Sequence, residues 1–233
     1  MSRYFAVVPA AGTGSRVGAA LPKQYVALGG RPLLHFAIAR LCTHAAIERV
    51  WVILAREDRH FATLDWTPFA GKLAPLYLGG DSRAMTVLNA LENIAGQVAP
   101  DDWILVHDAA RPCLSQVMLD RLIDEVGDDP DGGLLAVPVA DTLKRAGGDQ
   151  RSVHTESRAG LWHAQTPQMF RHQALLRALR ACDPARATDE AAAIEALGMH
   201  PKLVQGDASN LKITQAQDFA LAELILGQTA GAT

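Results

Sequence analysis

The residues best suited to chemistry in this chain lie in short clusters that follow apolar runs. The first is Pro9-Ala10-Ala11-Gly12-Thr13-Gly14-Ser15-Arg16, directly after the run 4–8. Small residues after a strand let backbone N–H groups approach phosphate oxygens closely. A dinucleotide fingerprint would need glycine at the sixth position, where Val17 stands, with Gly18 one residue late. A P-loop would end in Gly-Lys-Ser/Thr, but Lys23 follows Pro22 and precedes Gln24. What remains is a glycine loop with two cations beyond it, Arg16 and Lys23. It reads as a phosphate site, and a plain tight turn would account for the same glycines.

Two further clusters end apolar runs, and a third comes late in the chain, before the last helix. Gly79-Gly80-Asp81-Ser82-Arg83 combines flexible backbone with two residues able to cap a helix, so a turn with an N-cap explains much of it. His107-Asp108-Ala109-Ala110-Arg111-Pro112 brings a carboxylate to the end of a strongly apolar strand. One carboxylate suffices for Mg²⁺ when substrate phosphates supply other ligands. An ion pair between Asp108 and Arg111 is the alternative. His107 continues the apolar alternation of its strand and reads as a satisfied structural residue. In Asn210-Leu211-Lys212-Ile213-Thr214, Lys212 alternates away from its apolar neighbours and, taken alone, is a solvated surface lysine.

Positioning these clusters requires strands and helices in alternation. Apolar stretches of strand length occur at 4–8, 49–54, 73–78, 103–106, 134–139 and 202–204. Several are apolar at consecutive positions, which is the pattern of strands buried on both faces of a parallel sheet. Helical periodicity occupies 32–42, 83–95, 116–126, 172–181, 189–197 and 215–226. Thr188 is placed to cap the fifth helix and Gly198 to end it. The fold class is therefore α/β, with a mostly parallel central sheet and helices on both faces. One segment breaks the rhythm: 141–156 has two polar arms around Ala146-Gly147-Gly148-Asp149 and reads as a projecting β-hairpin. No linker divides the rest, so one domain over residues 1–233 is expected.

Composition limits the functions available. Of 233 residues, 49% are hydrophobic and 20% charged, with a net charge of −3, so the chain is not a disordered tail. It lacks the broad basic face of a nucleic-acid binder, and no apolar run is long enough to span a membrane. Three separated cysteines form neither a CxxC pair nor a zinc spacing, which suits a reducing compartment. With the first strand beginning at once, a cytoplasmic protein is expected. Any positive charge for an anionic ligand must then be local.

Taken together, the clusters resemble a known family. The set comprises Pro9 to Arg16, Pro22-Lys23-Gln24-Tyr25, Gly79-Gly80-x-x-Arg83 and His107 to Pro112. It continues with Asp141-Thr142-x-Lys144, Leu161-Trp162-x-x-Gln165-Thr166-Pro167-Gln168, Thr188-Asp189-Glu190-Ala191 and Asn210-x-Lys212-x-Thr214. In this order, from Val7 to Leu226, they are similar to the 2-C-methyl-D-erythritol 4-phosphate cytidylyltransferase family. The resemblance implies a Rossmann-like nucleotidyltransferase fold and transfer of a cytidylyl group from CTP to methylerythritol phosphate, with Mg²⁺ and release of pyrophosphate. It also implies a homodimer in which the hairpin arm reaches the neighbouring site. By the same resemblance, Ala10, Ala11, Gly12, Gly80, Asp81 and Thr86 bind the nucleotide, and Arg16, Lys23 and Lys212 are catalytic at the phosphates. Asp108 binds metal and substrate, Arg111, Thr166 and Thr188 line the substrate side, and Thr142 and Arg158 come from the partner's arm. The chain's end soon after the last motif is the pattern of the stand-alone form. Two positions depart from the family's usual residues: Val17 for Met and Thr86 for Ser. A dehydrogenase is disfavoured by Val17 and by the lack of a ribose-binding acid after the second strand. A non-catalytic nucleotide regulator would not need Arg16, Lys23, Asp108 and Lys212 together.

Overall fold

The computed structural model describes residues 2–12, 21–183 and 187–230, with side chains to residue 228. In chain order the elements are β1 Tyr4–Pro9, β2 Ala27–Leu28, β3 Arg31–Pro32, α1 Leu33–Thr43, β4 Ile47–Ile53, β5 Leu73–Leu76, α2 Arg83–Ile94 and β6 Trp103–Val106. They continue with α3 Gln116–Val126, β7 Gly133–Pro138, β8 Leu143–Ala146, β9 Ser152–Glu156, β10 Trp162–Arg171, α4 His172–Ala181, α5 Glu190–Glu195, β11 Lys202–Gln205 and α6 Gln217–Ala230. Seven strands form the central sheet in the order β11-β7-β10-β6-β1-β4-β5. All neighbours are parallel except β10, which runs antiparallel to β6 and β7.

The consecutive apolar residues of β1 have a direct cause. Ala6 and Val8 face one side, packed with α1 and α3 through Leu34, Ile38, Leu119 and Leu122. Phe5 and Val7 face the other, packed with Val87, Leu91, Leu175 and Ile194 of α2, α4 and α5. A strand covered on both faces has no polar side to present. A third cluster seats α6 through Ala222 against Leu28, Leu33 and Cys113.

The chain leaves β1 to build β4 and β5 on one side, then returns to build β6 on the other. The carboxyl ends of β1 and β6 therefore lie side by side at a change of strand order. Loops splay apart at such a point and leave a crevice. The loops carrying Ala10–Gly12 and Asp108 both open there.

Two local readings of the sequence are corrected. Strand β10 is not apparent from apolarity, because its centre, Gln165-Thr166-Pro167-Gln168, is polar and contains a proline. Its ladder is interrupted between Ala164 and Gln168, and Pro167 sits in that gap, where no ladder N–H is needed. At the start of α5, Asp189 rather than Thr188 is the N-cap, its Oδ1 accepting the Ala192 N–H at 2.9 Å. Strands β8 and β9 form a separate antiparallel hairpin, and nearly all of their residues are exposed.

Candidate active site

A cleft of about 470 Å³ opens at the carboxyl ends of β1 and β6. Its described walls include Ala10, Ala11 and Gly12 after β1, Gly80, Asp81 and Thr86 around the start of α2, and Lys23, Arg83, Asp108 and Lys212. This size suits a small ligand held by a few placed polar groups. Arg16 lies outside the described residues.

The glycine-loop wall is held by backbone and side-chain bonds. Ala10 N–H donates to Ile53 O at 2.8 Å, and the Gln24 amide donates to Ala10 O at 2.8 Å. The second bond ties the 3₁₀ turn carrying Lys23 to the loop after β1. Lys23 Nζ reaches Ile213 O at 2.6 Å, next to Lys212. Gly79 is required by close approach, since a Cβ there would lie 2.5 Å from Ala11 Cβ. Ser82 caps α2 by accepting Met85 N–H at 3.1 Å. The Thr86 hydroxyl donates to Ser82 O at 2.9 Å and accepts Gly80 N–H at 3.1 Å. The Thr86 hydroxyl thus shapes the Gly80 turn. The turn with an N-cap expected for this cluster is what the structure shows, and Gly80, Asp81 and Ser82 line the cleft.

Asp108 is the electrostatic centre. Lys212 Nζ lies 2.7 Å from Oδ2 and Arg83 Nε 2.9 Å from Oδ1, while Arg111 Nε is 4.0 Å from Oδ2. The Asp108–Arg111 pair, the alternative reading of this cluster, is therefore the longest of three. Burial works against the Asp108 charge, but Arg83, Lys212 and Arg111 overcome it and hold the carboxyl well below the usual range. Asp108 is ionised at neutral pH. Lys212, read alone as a surface lysine, is only half exposed and is an ion-pair partner.

Arg83 and Glu190 are site residues that sequence reasoning misses. The Arg83 guanidinium forks onto Glu190 through Nη1 and Nη2, at 2.7 and 3.0 Å, and keeps Nε for Asp108. Burial raises the Glu190 carboxyl against the pull of Arg83. Glu190 has one cation and Asp108 has three, which explains their opposite directions. In the sequence, an acid at the first position of a helix reads as a solvated partner of the helix dipole; Glu190 is instead 1% exposed, and a buried acid requires a partner.

Beneath Asp108, β10 supplies a polar layer. Asp108 N–H donates to Thr166 Oγ1 at 3.0 Å, and Thr166 Oγ1 lies 3.0 Å from His107 Nδ1. His107 Nε2 is 3.1 Å from Arg111 O. Burial pushes His107 down to about 4, so it is neutral near pH 7. The structural reading of His107 agrees with its full burial. Arg111 donates to Asn210 O at 2.6 Å and Ala164 O at 3.3 Å. Asn210 Nδ2 donates to Thr166 O at 2.9 Å. Thr166 and Arg111 are thus brought to Asp108 from below, and neither is among the described residues of the cleft wall. Thr142, Arg158 and Thr188 are exposed and likewise absent from that wall.

No group of three or more His, Cys, Asp or Glu side chains converges among the described residues. The donor set still fits a hard divalent cation. Mg²⁺ takes one or two carboxylates and fills its shell with phosphate oxygens and water. Asp108 is ionised and lines the cleft, flanked by the half-exposed Lys212.

Comparison with known proteins follows the same lines. Residues 4–228 match the family model of 2-C-methyl-D-erythritol 4-phosphate cytidylyltransferase. The proteins of that name from Nitrosospira multiformis and Dechloromonas aromatica are 54% and 56% identical, each alignment covering 97% of this chain and 98% of the relative. A solved 4-diphosphocytidyl-2C-methyl-D-erythritol synthase superposes with a TM-score of 0.86 at 42% identity, over 97% of this chain and 100% of that one. The cytidylyltransferase from Thermus thermophilus gives 0.76 at 28% identity, over 97% and 98%. Matched along almost its whole length in sequence and in fold, the chain belongs to the 2-C-methyl-D-erythritol 4-phosphate cytidylyltransferase family.

Proposed function

We propose that the cleft transfers a cytidylyl group from CTP to 2-C-methyl-D-erythritol 4-phosphate, releasing pyrophosphate and 4-diphosphocytidyl-2-C-methyl-D-erythritol. The carrying observation is the ionised Asp108 between Lys212 and Arg83, in a cleft floored by the small-residue loop and the Gly80 turn. The acceptor phosphate is already anionic at pH 7, because its second pKa is about 6. It needs no general base, and His107, neutral and fully enclosed, is not placed to be one. The chemical difficulty is repulsion between two phosphate groups. Catalysis is then orientation and charge neutralisation.

The residues divide that work. Ala10, Ala11, Gly12, Gly80 and Asp81 hold the nucleotide, with Thr86 keeping the Gly80 turn in shape. Lys23, Lys212 and Arg16 neutralise the phosphates. Asp108 would hold Mg²⁺, which when bound draws charge from the phosphate oxygens. Arg111 and Thr166 set the Asp108 loop, and Thr188 is assigned to the acceptor by the family resemblance. The whole chain acts as one domain, with 141–156 as a dimerisation arm. The exposure of Thr142 and Arg158 away from their own cleft supports a role for both in the neighbour's site. Among the described residues no helix is long and apolar enough to cross a membrane.

The test is an acceptor comparison. Purified protein with CTP and Mg²⁺ should release pyrophosphate with methylerythritol phosphate far faster than with ribitol 5-phosphate. Preference for ribitol 5-phosphate would overturn the acceptor assignment.

A further inference from the structure

His107 precedes Asp108 directly, is 0% exposed and has no route to a ligand. Its hydrogen bonds nevertheless determine those of its neighbours. Arg111 O can only accept, so the ring nitrogen facing it at 3.1 Å, Nε2, carries the hydrogen. In the neutral ring Nδ1 is then a lone-pair acceptor, and the Thr166 hydroxyl 3.0 Å away must donate to it. With its one proton committed, Thr166 Oγ1 receives the Asp108 N–H at 3.0 Å. The result is a directed chain from Asp108 N–H through the Thr166 hydroxyl to His107, closed by His107 on Arg111 O. It grips both ends of the turn 108–111. That turn is also bonded to the segment bearing Lys212, since Ile213 N–H donates to Ala110 O at 2.8 Å. Lys23 reaches the same segment at Ile213 O.

We propose that His107 is a positioning residue for the transfer reaction: through the Thr166 hydroxyl and the Arg111 carbonyl it sets the Asp108 carboxylate against Lys212. The inference rests on the function proposed above. It carries a specific corollary. Thr166 Oγ1 has no proton to offer, so any direct contact it makes with the acceptor must be as an acceptor from a substrate hydroxyl.

Two measurements test this. In ¹⁵N-histidine-labelled wild-type protein, the His107 ring should show the neutral Nε2–H form, with Nδ1 shifted by an accepted hydrogen bond. An Nδ1–H ring would overturn the proposal, and this readout stands whether or not the protein uses CTP. The second is kinetic. His107→Phe keeps the ring's bulk without its bonds and should lower kcat by about 10–100-fold, the usual scale for outer partners of a metal ligand, with the KM for CTP little changed. His107→Gln, with one donor and one acceptor, should recover most of that loss. Thr166→Val should mimic His107→Phe, and the double variant should be no worse than either single one. Wild-type kcat in His107→Phe, a Gln variant as poor as Phe, or multiplying losses in the double variant would each overturn it. If His107→Phe fails to fold, Thr166→Val and the ring signature carry the test. Absence of turnover in wild-type protein would instead count against the function itself.

Discussion

Lowering the pH should unfold this protein partly through one residue. His107 ordinarily titrates near 6.5, and burial takes it down to about 4 in the folded chain. The unfolded chain therefore binds a proton between those values that the folded chain refuses. Stability conferred by the neutral ring is complete above about pH 6.5 and is lost as pH falls toward 4. The full difference amounts to about 3 kcal/mol, and the part lost between pH 7 and pH 5 to about 2 kcal/mol. For a domain with total stability of about 5–15 kcal/mol this is a large fraction. The comparison is wild type against His107→Gln, which has no titrating ring. The other buried histidines, His44 and His172, are present in both proteins and cancel. Urea unfolding at pH 7, 6 and 5 should show the wild type losing about 2 kcal/mol more than the variant, a midpoint difference of roughly 0.7 M at a slope of about 3 kcal/mol/M. Parallel losses in the two proteins would refute the reasoning.

Other perturbations address the cleft and the arm. Lys23→Ala and Lys212→Ala should fold as wild type by circular dichroism yet lose about 10²–10³ in kcat, the scale of a lost charge-stabilising donor. Mixing Arg158→Ala chains with Lys23→Ala chains should restore activity if arms are exchanged; heterodimers without rescue would count against exchange. Gly80→Ala would place a Cβ 2.7 Å from Met85 Cβ. Thermal melting should register about 1–3 kcal/mol of destabilisation, with a raised KM for CTP. Burial pushes the thiols of Cys42 and Cys113 up to about 12 and about 11. The partly exposed Cys182 should therefore be the first to react with a thiol reagent at pH 8.

Much of the scaffold was legible because burial on both faces leaves a plain mark. The runs at β1, β4, β6 and β7 are apolar at consecutive positions, and the sheet is mostly parallel. Helices α3 and α4 match their expected limits, residues 116–126 and 172–181. Strand β10 was not legible, since the polar residues it needs to support Asp108 erase its strand pattern. Asp108 and the glycine loop could be found because each follows an apolar strand. Their partners could not. That Lys212 pairs with Asp108 depends on the segment at 210–214 being bonded to Ala110 and Lys23. The Arg83–Glu190 fork joins the first turns of two helices that sequence alone cannot bring together. The apparent conflict between a net charge of −3 and an anionic ligand also resolves locally. Lys23, Arg83 and Lys212 line the described cleft beside Asp81 and Asp108, three cations against two carboxylates, with Arg111 beneath.

The central claim is that this cleft joins CTP to an acceptor phosphate through Asp108 and its surrounding cations. The most direct measurement is the stoichiometry of pyrophosphate and 4-diphosphocytidyl-2-C-methyl-D-erythritol formed from CTP, with and without methylerythritol phosphate, in wild type and Asp108→Asn. The expected result is equal amounts of both products in the wild type, none without acceptor, and at least a hundredfold slower formation in the variant. Pyrophosphate released without acceptor, or undiminished turnover in Asp108→Asn, would contradict the account.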